Sequence, residues 1–222
     1  MDKLLIVANL KSYKTENEAK EWLENFKKIK ESEQSLGSKE IIVCPSFTLL
    51  SLFSLYFSTN NLPVKVGAQN VSPFDEGAYT GEINGKQIKE FADYVLIGHS
   101  ERRQYFGEND LTFSKKVEMA KKYNLIPVYC ITKKDTFIPN GIDIVAYEPV
   151  EAIGTGNPDT PENADSVASF IKSKYNVQYV LYGGSVTKDN VKSFTKKPNI
   201  DGVLIGKASL EVKEFINIIK NA

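Results

Sequence analysis

The chain's single histidine, His99, lies in the run Gly98-His99-Ser100-Glu101-Arg102-Arg103, directly after the apolar stretch Tyr94-Val95-Leu96-Ile97. Glu148 is placed the same way. It closes the stretch Ile144-Val145-Ala146-Tyr147 and is followed by a proline and a glycine-rich segment. Asn9 and Lys11 follow the first apolar run and, being two residues apart, are expected to project from one side of an extended segment. Taken singly, each has a plain structural reading: a satisfied core imidazole, a strand-end ion-pair partner, a solvated ammonium. A carboxylate, an imidazole and an ammonium that all sit at carboxyl ends of strand-like runs point instead to one site on one face of a parallel sheet. Pro149 adds to this by biasing the backbone of Glu148 toward an extended conformation.

Three glycine-rich turns have a separate logic. Ile153-Gly154-Thr155-Gly156 follows Glu148 closely, while Tyr182-Gly183-Gly184-Ser185 and Ile205-Gly206-Lys207-Ala208-Ser209 follow the seventh and eighth apolar runs. One glycine pair says little, since any tight turn uses it. Two such turns in those places match the way barrels hold phosphate on backbone N–H groups after strands seven and eight. The segment from Val150 to Pro158 is then long enough to serve as a lid. A base, an imidazole, an ammonium and a phosphate cup imply proton abstraction beside the carbonyl of a small phosphorylated substrate. His99, Lys11 and Asn9 would meet the negative charge developing on oxygen, and a lid would keep water from the intermediate.

Eight short apolar runs are available to position these groups: Leu4 to Ala8, Ile41 to Cys44, Val64 to Gly67, Tyr94 to Ile97, Pro127 to Ile131, Ile144 to Tyr147, Tyr179 to Tyr182 and Val203 to Ile205. Their apolar residues are consecutive rather than alternating, the pattern of strands covered on both faces, and eight of them suggest a closed barrel. The intervening segments carry helical stripes: Ala19, Trp22, Leu23, Phe26 and Ile29; Phe113, Val117 and Ala120; Ala164, Val167, Ala168 and Ile171; Val212, Phe215, Ile216 and Ile219. Thr15 and Glu18 have capping-box spacing, and Thr160 precedes Pro161 as a cap before a first-turn proline. Between Ile131 and Ile144 there is no convincing stripe, and the segment holds Pro139 and Gly141. The fifth outer helix is therefore expected to be missing or reduced to a turn.

With 28 basic and 28 acidic residues, and no dense basic cluster, the chain has no electrostatic footprint for nucleic acid or an anionic membrane. Its 222 residues suit one barrel domain over 1–222. Residues Met1 to Ala8 lack the features of a secretory signal and no apolar run approaches membrane-spanning length, so a cytoplasmic location is expected. Cys44 and Cys130 read as buried, reduced thiols.

The chain resembles the triosephosphate isomerase family over nearly its whole length. The resemblance is carried by Asn9-Leu10-Lys11, Gly67-Ala68-Gln69-Asn70, Gly77-Ala78-Tyr79-Thr80-Gly81-Glu82, Gly98 to Arg103, Ala146-Tyr147-Glu148-Pro149-Val150, Ala152 to Gly156, Tyr182 to Val186 and Ala208-Ser209-Leu210. It implies a TIM barrel that interconverts dihydroxyacetone phosphate and D-glyceraldehyde 3-phosphate without metal or organic cofactor. Glu148 would be the proton shuttle, and His99 a neutral electrophile with its proton affinity lowered by a helix N-terminus, a role taken from the family itself. Lys11 would stabilise the anionic intermediate and substrate, Asn9 orient the carbonyl, and Glu101 sit beside Lys11 either as its support or as an accessory proton-transfer group. Ser100 would contact the base when the lid is open. Backbone N–H groups of Gly154, Ser185, Gly206 and Lys207 would hold phosphate.

The resemblance further implies a homodimer in which the loop Gln69 to Glu82 inserts beside the partner's site. Thr80 would approach the neighbouring Asn9 and Lys11, and Glu82 would pair with Arg102 to brace the loop. Some positions depart from the family pattern. Glu151 stands where tryptophan is usual, Asn157 where lysine is usual, and Lys207 where the second glycine of a pair is usual, keeping its backbone N–H. Cys130-Ile131-Thr132-Lys133 lacks the usual Gly-Glu after Cys-Ile. Glu151, Lys207 and the eroded fifth sector leave a non-catalytic phosphate-binding barrel as one alternative, and an isomerase of a different phosphosugar is another because a phosphate cup alone does not define sugar length.

Overall fold

Strands that must bury both faces need a layer inside and a layer outside, and the chain supplies both. The computed structural model describes residues 4–32, 39–149 and 158–222. Eight parallel strands, β1 (Leu4–Asn9), β2 (Lys39–Cys44), β3 (Val64–Ala68), β4 (Tyr94–Ile97), β5 (Ile126–Ile131), β6 (Ile144–Tyr147), β7 (Tyr179–Tyr182) and β8 (Gly202–Ile205), pair in sequence order. β8 returns to β1, with Ile6 opposite Val203, and closes the barrel. Side chains alternate across each strand. Leu5, Val7, Cys44, Leu96, Cys130 and Leu204 belong to an inner core, while Ile6, Ala8, Val43 and Ile97 belong to a larger outer core under the helices.

Outside the strands lie α1 (Glu16–Ser32), α2 (Leu50–Thr59), α3 (Gly85–Lys89), α4 (Ser100–Tyr105), α5 (Asp110–Lys122), α6 (Pro161–Tyr175), α7 (Val191–Thr195) and α8 (Val212–Asn221). α1 starts at the expected capping box: the Glu18 N–H donates to Thr15 Oγ1 at 3.4 Å and the Thr15 N–H to Glu18 Oε2 at 2.7 Å. α6 starts at Thr160, whose hydroxyl accepts from the Asn163 N–H, with Pro161 in the first turn. Trp22 on α1 stacks on Phe26 at 5.2 Å and leans on Phe53 of α2 and Phe215 of α8, tying three helices across the β8–β1–β2 side. Each such pair contributes about 0.5–1.5 kcal/mol beyond its buried area.

No helix forms between β5 and β6. The segment makes turns, and two buried isoleucines, Ile138 and Ile142, cover the barrel in its place. The sequence did not foretell how short α3 and α7 are, at five residues each. Lys11 is also not extended: its φ of 53° puts it in the left-handed region, so the chain turns sharply just after β1. Both cysteines are free and fully buried inside the barrel. Among the described residues no helix is long and apolar enough to cross a membrane.

Candidate active site

At the carboxyl ends of the strands a cavity of about 480 Å³ is lined by Asn9, Lys11, His99, Glu148, the Gly183–Thr187 turn and the Gly206–Ala208 turn. That volume lies within the range of small-ligand pockets. Glu148 leaves β6 with its backbone N–H bound to Ile131 O on β5 at 2.7 Å, and the residue is only 2% exposed. Room for its side chain comes from Gly183 at the end of β7, where a Cβ would lie 2.8 Å from Glu148 Cγ. Gly184 is glycine for a similar reason, since a Cβ there would strike the Tyr182 hydroxyl.

His99 stands at the N-cap of α4, reached through Gly98 at φ 77°. Its Nε2 is 3.0 Å from Glu148 Oε1, and the Ser100 N–H donates to the other carboxylate oxygen at 3.0 Å. The Glu101 N–H donates to His99 Nδ1 at 3.3 Å, which leaves the imidazole proton on Nε2, facing Glu148. Burial disfavours the imidazolium, yet the adjacent Glu148 carboxylate, helped by Glu101, outweighs it and raises the His99 pKa above 6.5. The helix N-terminus is therefore present as expected, but with Glu148 in contact it does not determine the net direction.

Lys11 reaches the pocket from its left-handed turn. Its ammonium pairs with Glu101 Oε1 at 2.5 Å, and its backbone N–H donates to Asn9 Oδ1 at 3.0 Å. Gln69, just beyond β3, holds this turn in place by donating to Lys11 O at 2.9 Å and Cys44 O at 2.8 Å. Sequence reasoning gave Gln69 no such role. An amide at the end of a strand, beside a loop that must turn sharply, was the available signal. The phosphate-side turn is braced too. Ser209 Oγ donates to Gly206 O at 2.7 Å, and Trp22 Nε1 donates to Ser209 O at 3.0 Å.

Asn9, Lys11, His99, Glu148, Ser185, Gly206 and Lys207 thus converge on one pocket, and Glu101 and Ser100 contact its members. The Ser100 hydroxyl is buried without a hydrogen-bond partner among the described residues, so its contact to Glu148 is through the backbone. Gly154 and all of the expected lid, Val150 to Pro158, except Pro158 itself lie outside the described residues. Thr80 is exposed and does not line this chain's own pocket. The expected pair of Glu82 with Arg102 is not formed within the chain. Arg102 instead binds Glu108 at 2.7 Å, and Glu108 also takes the buried Lys116 ammonium at 2.5 Å, which in turn donates to Asn70 at 2.7 Å. Burial works against the Glu108 charge, but Arg102 and Lys116 hold its carboxyl below the ordinary glutamate value. Beneath Glu148, burial pushes the Cys130 thiol far up, so it stays neutral inside the barrel. Among the described residues no three His, Cys, Asp or Glu side chains are grouped to hold a metal ion.

A family model described as triosephosphate isomerase matches residues 4–137 and 136–222. Proteins named triosephosphate isomerase from Dictyoglomus turgidum, Nostoc sp. and Gloeobacter violaceus are 36%, 38% and 37% identical to the chain. The alignments cover 99–100% of this chain and 98–100% of each relative. The first spans 254 positions, more than the 222 residues available here, so the chain carries deletions relative to that protein.

Proposed function

Because the chain belongs to the triosephosphate isomerase family, we propose that it interconverts dihydroxyacetone phosphate and D-glyceraldehyde 3-phosphate, with Glu148 as the base. The observation that carries this reading is the 3.0 Å contact of His99 Nε2 with Glu148 Oε1 inside the pocket that Lys11 also lines. Glu148 takes a proton from C1 of dihydroxyacetone phosphate and returns it to C2, so one carboxylate serves both directions. His99 presents a proton from Nε2 to the oxygen that becomes negative in the enediolate, and accepts one back from its neighbour oxygen as the carbonyl reforms. The Lys11 ammonium lies on the same side and stabilises that charge, with Asn9 fixing the carbonyl. Glu101 holds Lys11. Backbone N–H groups of the turns at Ser185, Gly206 and Lys207 take the phosphate. The same reading makes the protein a homodimer through the Gln69 to Glu82 loop, where Phe74 and Tyr79 form an exposed stack at 4.4 Å.

A coupled assay with D-glyceraldehyde 3-phosphate tests the assignment. Glu148→Asp withdraws the carboxylate by one methylene, about 1.5 Å, and is expected to lower kcat by roughly 10²-fold or more while the fold is kept. Near-normal turnover in that variant would refute Glu148 as the base. No turnover in the unaltered protein, together with retained binding of a phosphorylated analogue, would favour the non-catalytic barrel.

A further inference from the structure

The cavity brings together two ammonium groups, Lys11 and Lys207, and three carboxylates, Glu148, Glu211 and Glu214. Lys11 is already committed to Glu101 at 2.5 Å. Lys207 has no ion-pair partner among the described residues. A phosphate ester carrying about −1.5 to −2 charge at neutral pH would enter a site whose side chains are acidic in sum. Backbone N–H groups supply hydrogen bonds there but only partial charge. The position of Lys207 suits it to redress that balance. It opens a short 3-10 turn, Lys207–Ser209, that the Ser209 and Trp22 hydrogen bonds hold fast. Just before it, Gly206 passes so close to Lys11 that a Cβ would lie 3.1 Å from Lys11 Cε. The backbone at 207 is thus fixed on the pocket wall while an exposed, flexible stem carries the charge.

We propose that the Lys207 side chain is a second binding group for the substrate's phosphate, offsetting Glu211 and Glu214 where Lys11 serves the reacting carbons. This rests on the phosphorylated substrate assigned above, and it adds a side-chain cation to a cup otherwise built from backbone. Lysine contacts phosphate as a point charge, so its effect is electrostatic and screened by salt.

Calorimetric titration with 2-phosphoglycolate and with inorganic phosphate tests the proposal without relying on turnover. Lys207→Met keeps the stem and the backbone N–H and removes only the charge; Lys207→Arg keeps the charge. Lys207→Met is expected to bind both anions about fivefold more weakly at low ionic strength, the scale of one partly exposed charge contact to a near-dianion. At roughly 0.5 M salt the difference should shrink below twofold, and Lys207→Arg should bind like the unaltered protein at both salt concentrations. Equal affinities of the Met variant and the unaltered protein at low salt overturn the proposal. So does a loss that high salt leaves undiminished, or that Lys207→Arg shares, because either marks a structural effect. If the unaltered protein binds these anions but does not isomerise the triose phosphates, the isomerase reading falls and the Lys207 comparison still decides the proposal. If it binds neither anion, both fall.

Discussion

Gly183 is where the barrel leaves the base least room, which makes Gly183→Ala a quantitative probe of how closely Glu148 must be placed. The added Cβ would lie 2.8 Å from Glu148 Cγ and 3.2 Å from Tyr147 O. Carbon atoms settle at about 3.5–4.0 Å, so a relative movement of roughly 0.7 Å or more is needed. The Tyr147 carbonyl cannot supply it, because it accepts the Gly183 N–H at 2.7 Å between two strands paired in register. The Glu148 side chain gives way instead, away from His99 and the Ser100 N–H. Since misplacing a catalytic group by about 1 Å costs on the order of 10²-fold, kcat/KM should fall by roughly 30-fold. Overpacking should also cost about 1–3 kcal/mol of stability. Steady-state assay and chemical denaturation of Gly183→Ala are to be run beside Gly107→Ala. The second position has φ 62° and no atom within 4 Å of a Cβ, so alanine there brings backbone strain of about 1–2 kcal/mol and no contact with the base. Wild-type kcat/KM in Gly183→Ala would show that Glu148 has slack, and the argument from its crowding would be wrong. An equal loss in both variants would attribute the effect to stability alone.

The single histidine makes a second prediction direct, because imidazole nitrogen resonances report His99 alone. Despite burial, Glu148 and Glu101 hold its pKa above 6.5, so the NMR midpoint should lie above that value and drop in Glu148→Gln; an unchanged midpoint would remove Glu148 as the cause. The raised native pKa means that the imidazolium's stabilising contribution is complete below pH 6.5 and is lost as pH rises through the native midpoint. For association, sedimentation at micromolar concentration should show a dimer, and Tyr79→Glu, which places a charge in the Phe74–Tyr79 stack, should shift it to monomer. A dimer indifferent to that change would move the interface away from the 69–82 loop.

The sequence disclosed what depends on local pattern. Eight strands were legible because inner and outer cores both demand apolar side chains, so runs such as Leu5-Ile6-Val7-Ala8 carry no polar alternation. The caps at Thr15 and Thr160 were legible because hydroxyl, spacing and proline act within one turn. What remained hidden depends on distant neighbours. The left-handed turn at Lys11 has one local partner, Asn9 Oδ1, which takes the Lys11 N–H, but the amide that holds its carbonyl, Gln69, comes from beyond β3. Within the chain Arg102 pairs with Glu108, a choice that local spacing does not show because it is tertiary. Glu108 wins through the buried Lys116, which lies on α5 and whose charge needs that carboxylate. α3 and α7 escaped notice because five residues are too few to show a stripe.

The eroded fifth sector is, with Glu151 and Lys207, one of the features that favour a non-catalytic barrel, and the geometry answers it. The family match breaks at residues 136–137, inside the segment that forms turns instead of an outer helix. Yet the cavity takes its side chains from the ends of β1, β4, β6, β7 and β8 and from Glu211 and Glu214 at the start of α8, and none from 132–143. β5 itself is still required, for its Ile131 carbonyl receives the Glu148 N–H and its register with β4 and β6 keeps the barrel closed. A helix outside β5 would add cover but position no group of the site, and Ile138 and Ile142 supply that cover from a loop. Deletion in this sector therefore costs outer packing while leaving the carboxylate, the imidazole and the ammonium where their strands put them.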